Sequence, residues 1–287
     1  MGSRIVLALP IALALHAAQP APKFEVASIK PCQAEDSGGG RNGRGGTGAP
    51  VISPGRLHLG CYDLRLLIRQ AYFVYADGRY HHLGPSEFQI KIENLPAWNN
   101  SIAYTIDAKA DGPANQETLM GPMLQALLEE RFRLRVHRET KDVPTYDLVV
   151  AKNGPKLKPF DNSCTPVDWS KPPQDTPPPN GPGDCRNSAS GTRSHWSATW
   201  HGIGLGDFIV AAFGGRVADR PVIDKTGIKG LFDIHLEFAR EDVPDAPDAA
   251  PSIFDALQEQ LGLKLAPSTG PAGVSLVIDH VEKPSEN

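Results

Sequence analysis

The residues of this sequence with most chemical potential are nine histidines, four cysteines and one Asp-Lys-Thr-Gly run. Imidazole is a common ligand for zinc and copper, so the histidines are tested first as a metal site. His81 and His82 are adjacent and, in a strand, point to opposite faces, whereas His137 and Glu139 share a strand face on which a side-by-side pair can hold a metal. No His-Glu-x-x-His run accompanies them. Surface hydrogen bonding is therefore the reading adopted for each histidine, and neither a metal nor another cofactor is expected. His195, Trp196, Trp200 and His201 crowd into seven positions of a segment otherwise rich in proline, glycine and serine. Large aromatics in such a segment favour contact with a partner or a sugar ring, which makes these four the candidate binding residues; the competing reading folds them back over the sheet of the second half.

The other chemical motifs reduce to structure. Asp224-Lys225-Thr226-Gly227 holds a Lys-Thr-Gly like that of serine beta-lactamases, but no serine is followed at the required distance by lysine, so no Ser-x-x-Lys nucleophile exists. The same run resembles the phosphorylated loop of ion-pumping ATPases, which needs membrane spans the chain lacks. It is read as a hairpin turn. The glycines from Gly38 to Gly48, with Arg41 and Arg44, lack a following Gly-Lys-Ser/Thr and a helix to open, so they are read as a loop and not as a phosphate cradle. No Gly-x-Ser-x-Gly occurs, and no catalytic residue is assigned.

Cys32, Cys61, Cys164 and Cys185 acquire meaning from the first residues of the chain. Arg4, the apolar run Ile5 to Leu15 broken by Pro10, and the small Ala17 and Ala18 make residues 1–18 a secretory signal peptide. The run falls short of the roughly 20 residues a membrane-spanning helix needs, and nothing later replaces it. Export to the periplasm or the extracellular space follows, with a mature chain starting near Gln19. In an oxidising compartment four cysteines imply two disulfides. Of three pairings, Cys32 with Cys61 and Cys164 with Cys185 are favoured, because each pair brackets a Gly-rich or Pro-rich loop; zinc is disfavoured because no Cys-x-x-Cys exists. Loss of Arg4 on cleavage moves the formal charge from -4 to -5, an acidic balance that argues against nucleic acid as the partner.

Along the chain one apolar spacing recurs four times. Leu64, Leu67, Ile68, Ala71 and Tyr72 fall at i, i+3, i+4, i+7 and i+8, the stripe of an amphipathic helix. Met120, Met123, Leu124, Leu127 and Leu128 repeat it, as do Leu205, Phe208, Ile209, Ala212 and Phe213; Ile253, Ala256, Leu257 and Leu261 form the fourth stripe, with Gln260 its polar exception. After each stripe the period changes to two, predicting strands. Phe132 to Val136 and Tyr146 to Val150 read as a hairpin around Lys141–Pro144; Pro221–Asp224 and Phe232–Phe238 as another; Leu263–Leu265 and Val274–Ile278 as a third; Phe88–Ile92 and Tyr104–Ala108 as the least regular. A strand Phe24–Lys30 leads the series, and Ser252 is placed to cap the fourth helix. The expected fold is α+β: four helix-plus-hairpin units after one strand, arranged as two halves, 19–160 and 203–287, with mixed or antiparallel sheets. Residues 161–202, dense in proline, glycine and serine, read as a linker or long loop.

In their order the motifs Phe24-Glu-Val-Ala-Ser-Ile-Lys-Pro31, Tyr104-Thr-Ile-Asp-Ala-Lys-Ala110, Glu130-Arg-Phe132, His137-Arg-Glu-Thr-Lys141, Arg220-Pro-Val222, Asp224-Lys-Thr-Gly227 and the closing Ile278 to Asn287 resemble those of a family of secreted soil-bacterial proteins, the domain of unknown function 3738 family. The resemblance implies export, and association with sensor-type peptidase or thioredoxin-like modules implies envelope sensing or interaction; it carries no activity. At the level of topology the unit is also similar to the short amino-terminal modules of secretins and outer-membrane transporters, which contact other envelope proteins. The expectation is a non-enzymatic envelope or extracellular binding module for a protein or small ligand, with a secreted hydrolase assembled only in three dimensions as the alternative.

Overall fold

The structure, a computed structural model, describes residues 22–32, 50–81, 91–169, 187–213, 220–239 and 249–284, with residues 171, 183 and 185. The expected signal peptide, residue His82, the first three residues of the expected strand Phe88–Ile92, the glycine-rich loop Gly38 to Gly48 and the proline-rich stretch after residue 171 lie outside the described residues. In chain order the elements are β1 (Phe24–Cys32), β2 (Val51–Ser53), β3 (Arg56–Asp63), α1 (Leu64–Arg69, continued by π-helical turns over Gln70–Val74), β4 (Lys91–Glu93), β5 (Ala103–Ala110), α2 (Gln116–Thr118, continued by π-helical turns over Leu119–Met123), α3 (Leu124–Arg131) and β6 (Arg135–Val150). Then follow β7 (Lys158–Pro159), β8 (Ser188–Gly191), β9 (Trp196–Ile203), α4 (Leu205–Phe213), β10 (Val222–Asp224), β11 (Phe232–Phe238), α5 (Ile253–Ala256, continued over Leu257–Leu261) and β12 (Leu263–His280).

All four apolar stripes are helical, and their described members are buried except for Ile209, which is half-buried. Local chemistry supports the ends. The Asp63 carboxylate accepts from the Leu66 N–H at 2.7 Å, and Ser252 Oγ accepts from the Asp255 N–H at 3.2 Å, so both helices begin on a side-chain cap. Gln260, the polar exception, accepts from the Glu237 N–H at 3.0 Å and donates to the Glu237 carbonyl at 2.7 Å, tying its helix to the backbone of β11.

The strands arise where alternation places them, but their pairing differs from the expected hairpins. Arg135–Val150 is one strand of 16 residues, and Leu263–His280 one of 18; β6 and β12 pair antiparallel with each other along their length. β4 joins β12 in parallel and β10 joins β6 in parallel, giving the sheet order β10-β6-β12-β4. β5 and β11 go elsewhere, into antiparallel sheets ordered β1-β5-β3-β2 and β7-β11-β9-β8. Among the described residues no helix is therefore followed by a local hairpin. Period-two patterning fixes which side chains face inward and leaves the partner strand open, and here the partners are distant in sequence. The first and third sheets share one order, each strand number in the third being six higher than its counterpart. Both carry a bulge at the corresponding place, where Cys61 and Gly202 have φ near +60° (58° and 61°).

Two hydrophobic clusters result. The first packs α1 and α3 between the first sheet and the ends of β6 and β12, and takes Leu276 and Ile278 from the C-terminal half; the second centres on α4, α5, β9 and β11, and takes Leu148 from the N-terminal half. The span 161–202, expected as a linker or long loop, supplies β8 and most of β9, and Ala198 and Trp200 in it are buried. The turn-rich composition concealed a central strand whose apolar positions are few but lie on one face. Both favoured cysteine pairings are present, with Cα–Cα separations of 5.9 Å for Cys32–Cys61 and 5.0 Å for Cys164–Cys185. No described helix is long and apolar enough to cross a membrane.

The tightest approach in the first cluster is at Gly121, where a Cβ would stand 2.1 Å from the Tyr75 carbonyl oxygen. Gly121→Ala is expected to lower stability by about 3 kcal/mol or more, since overpacking a filled core forces the backbone to move; urea unfolding measures it, and an unchanged midpoint would contradict the packing described.

Candidate binding faces

Strand pleating decides where the candidate residues go. β9 alternates, so Ala198 and Trp200 point into the second cluster; the Trp200 indole stands edge-on to the Phe208 ring, centroids 5.3 Å apart, and Trp196 packs partly against the same cluster. His201 and Thr199 point the other way, and His195 is exposed in the turn just before the strand. The four residues expected to act together are thus divided. Trp200, a binding candidate by sequence, is a core residue, because a strand with one buried face seats its large rings there.

The outward members join a polar array on the exposed face of the third sheet. His201 Nδ1 lies 3.2 Å from Asp233 Oδ1, and Asp233 Oδ2 accepts from Lys158 Nζ at 3.1 Å. Thr199 Oγ1 bonds His235 Nδ1 at 2.9 Å; His235 Nε2 and His195 Nε2 stand 3.4 and 3.7 Å from the two oxygens of Glu237. On the second sheet His137 and Glu139 share a face as expected. His137 Nδ1 lies 2.9 Å from an Asp279 oxygen and Nε2 lies 3.3 Å from Glu139, whose other oxygen accepts from Lys141 Nζ at 2.8 Å. Both ring nitrogens therefore face carboxylates. The hydrogen bonds to Asp279 and then Glu139 hold the His137 pKa above the ordinary imidazole value, and the bond from Lys141, followed by that from His137, holds Glu139 below the ordinary carboxylate value. Among the described residues no group of three or more His, Cys, Asp or Glu is arranged to hold a metal ion.

The Asp224-Lys-Thr-Gly run is a turn. The Asp224 carboxylate accepts from the Thr226 N–H at 2.9 Å and its hydroxyl at 2.7 Å, and Thr226 Oγ1 accepts from the Ile228 N–H at 3.1 Å. It joins strands of two different sheets, β10 and β11, so it is not the tip of a hairpin.

A second face was not anticipated. The register of the first sheet sets two cross-strand rows on its outer side: Val26–Lys109–Arg56–Ser53, and beside it Ser28–Asp107–His58–Val51. All of these but Ser28 line a shallow concavity of about 460 Å³. Val26 and Val51, on the two edge strands, are 61% and 64% exposed. Lys109 Nζ donates to Glu25 at 2.9 Å, and this bond holds the Glu25 pKa below the ordinary value; His58 Nδ1 and Asp107 Oδ1 are 2.7 Å apart. Among the described residues Arg56 has no carboxylate partner. The signal available in the sequence was faint: an alternating strand, Phe24 to Lys30, whose outward series includes a valine.

The family model described as "Protein of unknown function (DUF3738)" matches residues 67–281. The chain belongs to that family. No curated protein and no solved structure matches the chain. The DUF3738 match contains the second and third sheets together with β5, so Asp107 and Lys109 lie inside it, while β1 to β3 with Val26, Val51, Arg56 and His58 precede it.

Two outcomes follow from this geometry. Trp200→Ala is expected to cost about 3–5 kcal/mol in chemical unfolding, whereas His195→Ala, which removes an exposed pair, changes stability by less than about 1 kcal/mol; equal effects would refute the division of faces. For His137, a raised folded pKa means the stabilisation is fully present below about pH 6.5 and is lost as pH rises through the folded pKa. The Glu139 contribution is present above about pH 4.5 and is lost as pH falls through its depressed folded value. The His137 ring should titrate above about 6.5 by NMR and move back toward that value in Asp279→Asn; a midpoint unaltered by the substitution would remove the assigned cause.

Proposed function

We propose that this chain is an exported envelope or extracellular binding module that contacts a protein or small ligand through the outer face of its first sheet. The observation that carries the reading is the open concavity between the exposed Val26 and Val51, floored by Arg56, Lys109, His58 and Asp107. Shallow, partly apolar surfaces at sheet edges suit contact with a partner, while enclosed pockets suit small-substrate chemistry. The two disulfides support export, since paired thiols persist in oxidising compartments. The shared order of the first and third sheets supports a pair of repeated modules, which strengthens the analogy with envelope contact modules and with a part in envelope sensing.

A second reading, a secreted hydrolase, draws on the His58–Asp107 pair, whose Nε2 is left for proton transfer. That nitrogen lies over Gly60, 3.6 Å from the position of a Cβ there, while Ser53 pairs with Arg56 on the other side of His58. Water would have to serve as nucleophile, and the binding reading is preferred.

The test is affinity capture from the native envelope and medium with the wild-type chain and with a Val26→Asp/Val51→Asp variant. A partner held by the wild type and reduced tenfold or more by the variant, at unchanged melting temperature, is the expected result. Equal capture by both would reject this face as the site, and turnover of ester or amide substrates abolished by His58→Gln would favour the hydrolase.

A further inference from the structure

The same face has a charge and a length that narrow the partner, and the inference rests on the binding reading above. Its outward side chains include Lys30, Arg56 and Lys109 against Glu25 and Asp107, a local excess of positive charge on a chain whose formal net charge is -4. The two acids are already engaged, Glu25 by Lys109 and Asp107 by His58. Lys30 and Arg56 remain without an acidic partner among the described residues, and of the two Arg56 lines the concavity, on a central strand between the two exposed valines.

Dimensions complete the case. Val26 and Val51 are separated by three interstrand steps of about 4.8 Å, or roughly 14 Å, with a two-residue offset along the strands. An extended chain advances about 3.4 Å per residue, so residues i and i+4 of a bound segment span about 14 Å; the offset brings the separation of the valines to about 16 Å, which leaves roughly 1 Å at each end for the side chains to take up. Side chains at i, i+2 and i+4 point to one side. Aliphatic groups at i and i+4 would then meet the two valines, and the side chain at i+2 would descend on the middle strands, where Arg56 and Lys109 stand beside the His58–Asp107 pair.

We propose that this face binds an extended acidic polypeptide segment, crossing the strands with aliphatic side chains at i and i+4 on Val26 and Val51 and a carboxylate at i+2 paired with Arg56. The overall negative charge of the chain does not oppose this strongly, because at physiological ionic strength charges beyond about 8 Å are screened and the nearest cation dominates. Arginine suits the role, its planar guanidinium meeting a carboxylate through two parallel hydrogen bonds.

The test is a nitrogen-15 NMR titration of the full chain with two peptides, Val-Ser-Glu-Ser-Val and Val-Ser-Lys-Ser-Val, each flanked by Gly-Ser. The glutamate peptide is expected to shift the amides of Val26, Val51, Arg56 and His58, and the lysine peptide to bind at least tenfold more weakly. Arg56→Glu should invert that preference, and Val26→Ser/Val51→Ser should weaken the glutamate peptide while leaving the preference in place; thermal melts confirm that each variant is folded. Equal binding of the two peptides, a preference unchanged in Arg56→Glu, or no binding of either overturns the proposal. So do concentration-dependent shifts of these same amides without peptide, which mark a second copy as the occupant. A captured partner lost in Val26→Asp/Val51→Asp would leave the binding reading intact in any of the peptide outcomes, so the two failures are distinguishable.

Discussion

The antiparallel ladder between β6 and β12 is the interaction on which both hydrophobic clusters depend. Val136 at the start of β6 packs against the first cluster and Leu148 near its end belongs to the second; β12 runs the opposite way, with Leu263 and Leu265 in the second cluster and Leu276 and Ile278 in the first. Opening the ladder at either end removes apolar wall from a core and unpairs backbone groups in the same event. The ladder couples the halves of the chain, and its edges β4 and β10 strengthen the coupling because each comes from the half opposite to the strand it pairs with. Near the middle, Thr145 is fully buried, its hydroxyl without a partner among the described residues. An unpaired hydroxyl there is a cost that the surrounding packing offsets.

Once the inner faces are committed to the two clusters, the outer faces are left to solvent, and chemistry collects there. Each of the three sheets carries a histidine beside a carboxylate on its outer side: His58 with Asp107, His137 with Asp279, and His201 with Asp233. The first two pairs are exposed and contribute little to stability, so the residue types at such positions are free to serve recognition, while Asp233 in the third is largely buried. The first sheet differs in carrying two exposed valines at its borders, which burial would favour and which the fold leaves uncovered among the described residues.

The disulfides act at the periphery of this arrangement. Cys32 and Cys61 join β1 to the bulge of β3 across a sequence separation of 29, and Cys164 and Cys185 close a separation of 21 ahead of β8. Each restricts the unfolded chain by roughly 3–4 kcal/mol in the loop-entropy account.

Helices, strand faces and cysteine pairs were legible from residues a few positions apart. The stripe Leu64, Leu67, Ile68, Ala71 and Tyr72 specifies a helix whatever lies beyond it, and the alternation Phe232, Ile234, Leu236 and Phe238 specifies a buried face. His137 and Glu139 could be placed on one side of a strand by their spacing, while Asp279, which completes the pair, stands 142 residues away. The same limit separated Trp200 from His201: their neighbourhood in sequence was plain, but the pleat and a strand hidden in a serine- and glycine-rich segment sent one inward and the other out. The outer face of the first sheet, drawn from β1, β2, β3 and β5, has no local signature beyond one valine in an outward series. Periodicity, caps and the candidate bridges could be read without coordinates, because these depend on neighbours along the chain. Only the tertiary structure decided that β6 and β12 pair with each other and that Val26, Arg56 and Val51 share a surface, because strand partners are chosen by the burial of whole faces across long loops.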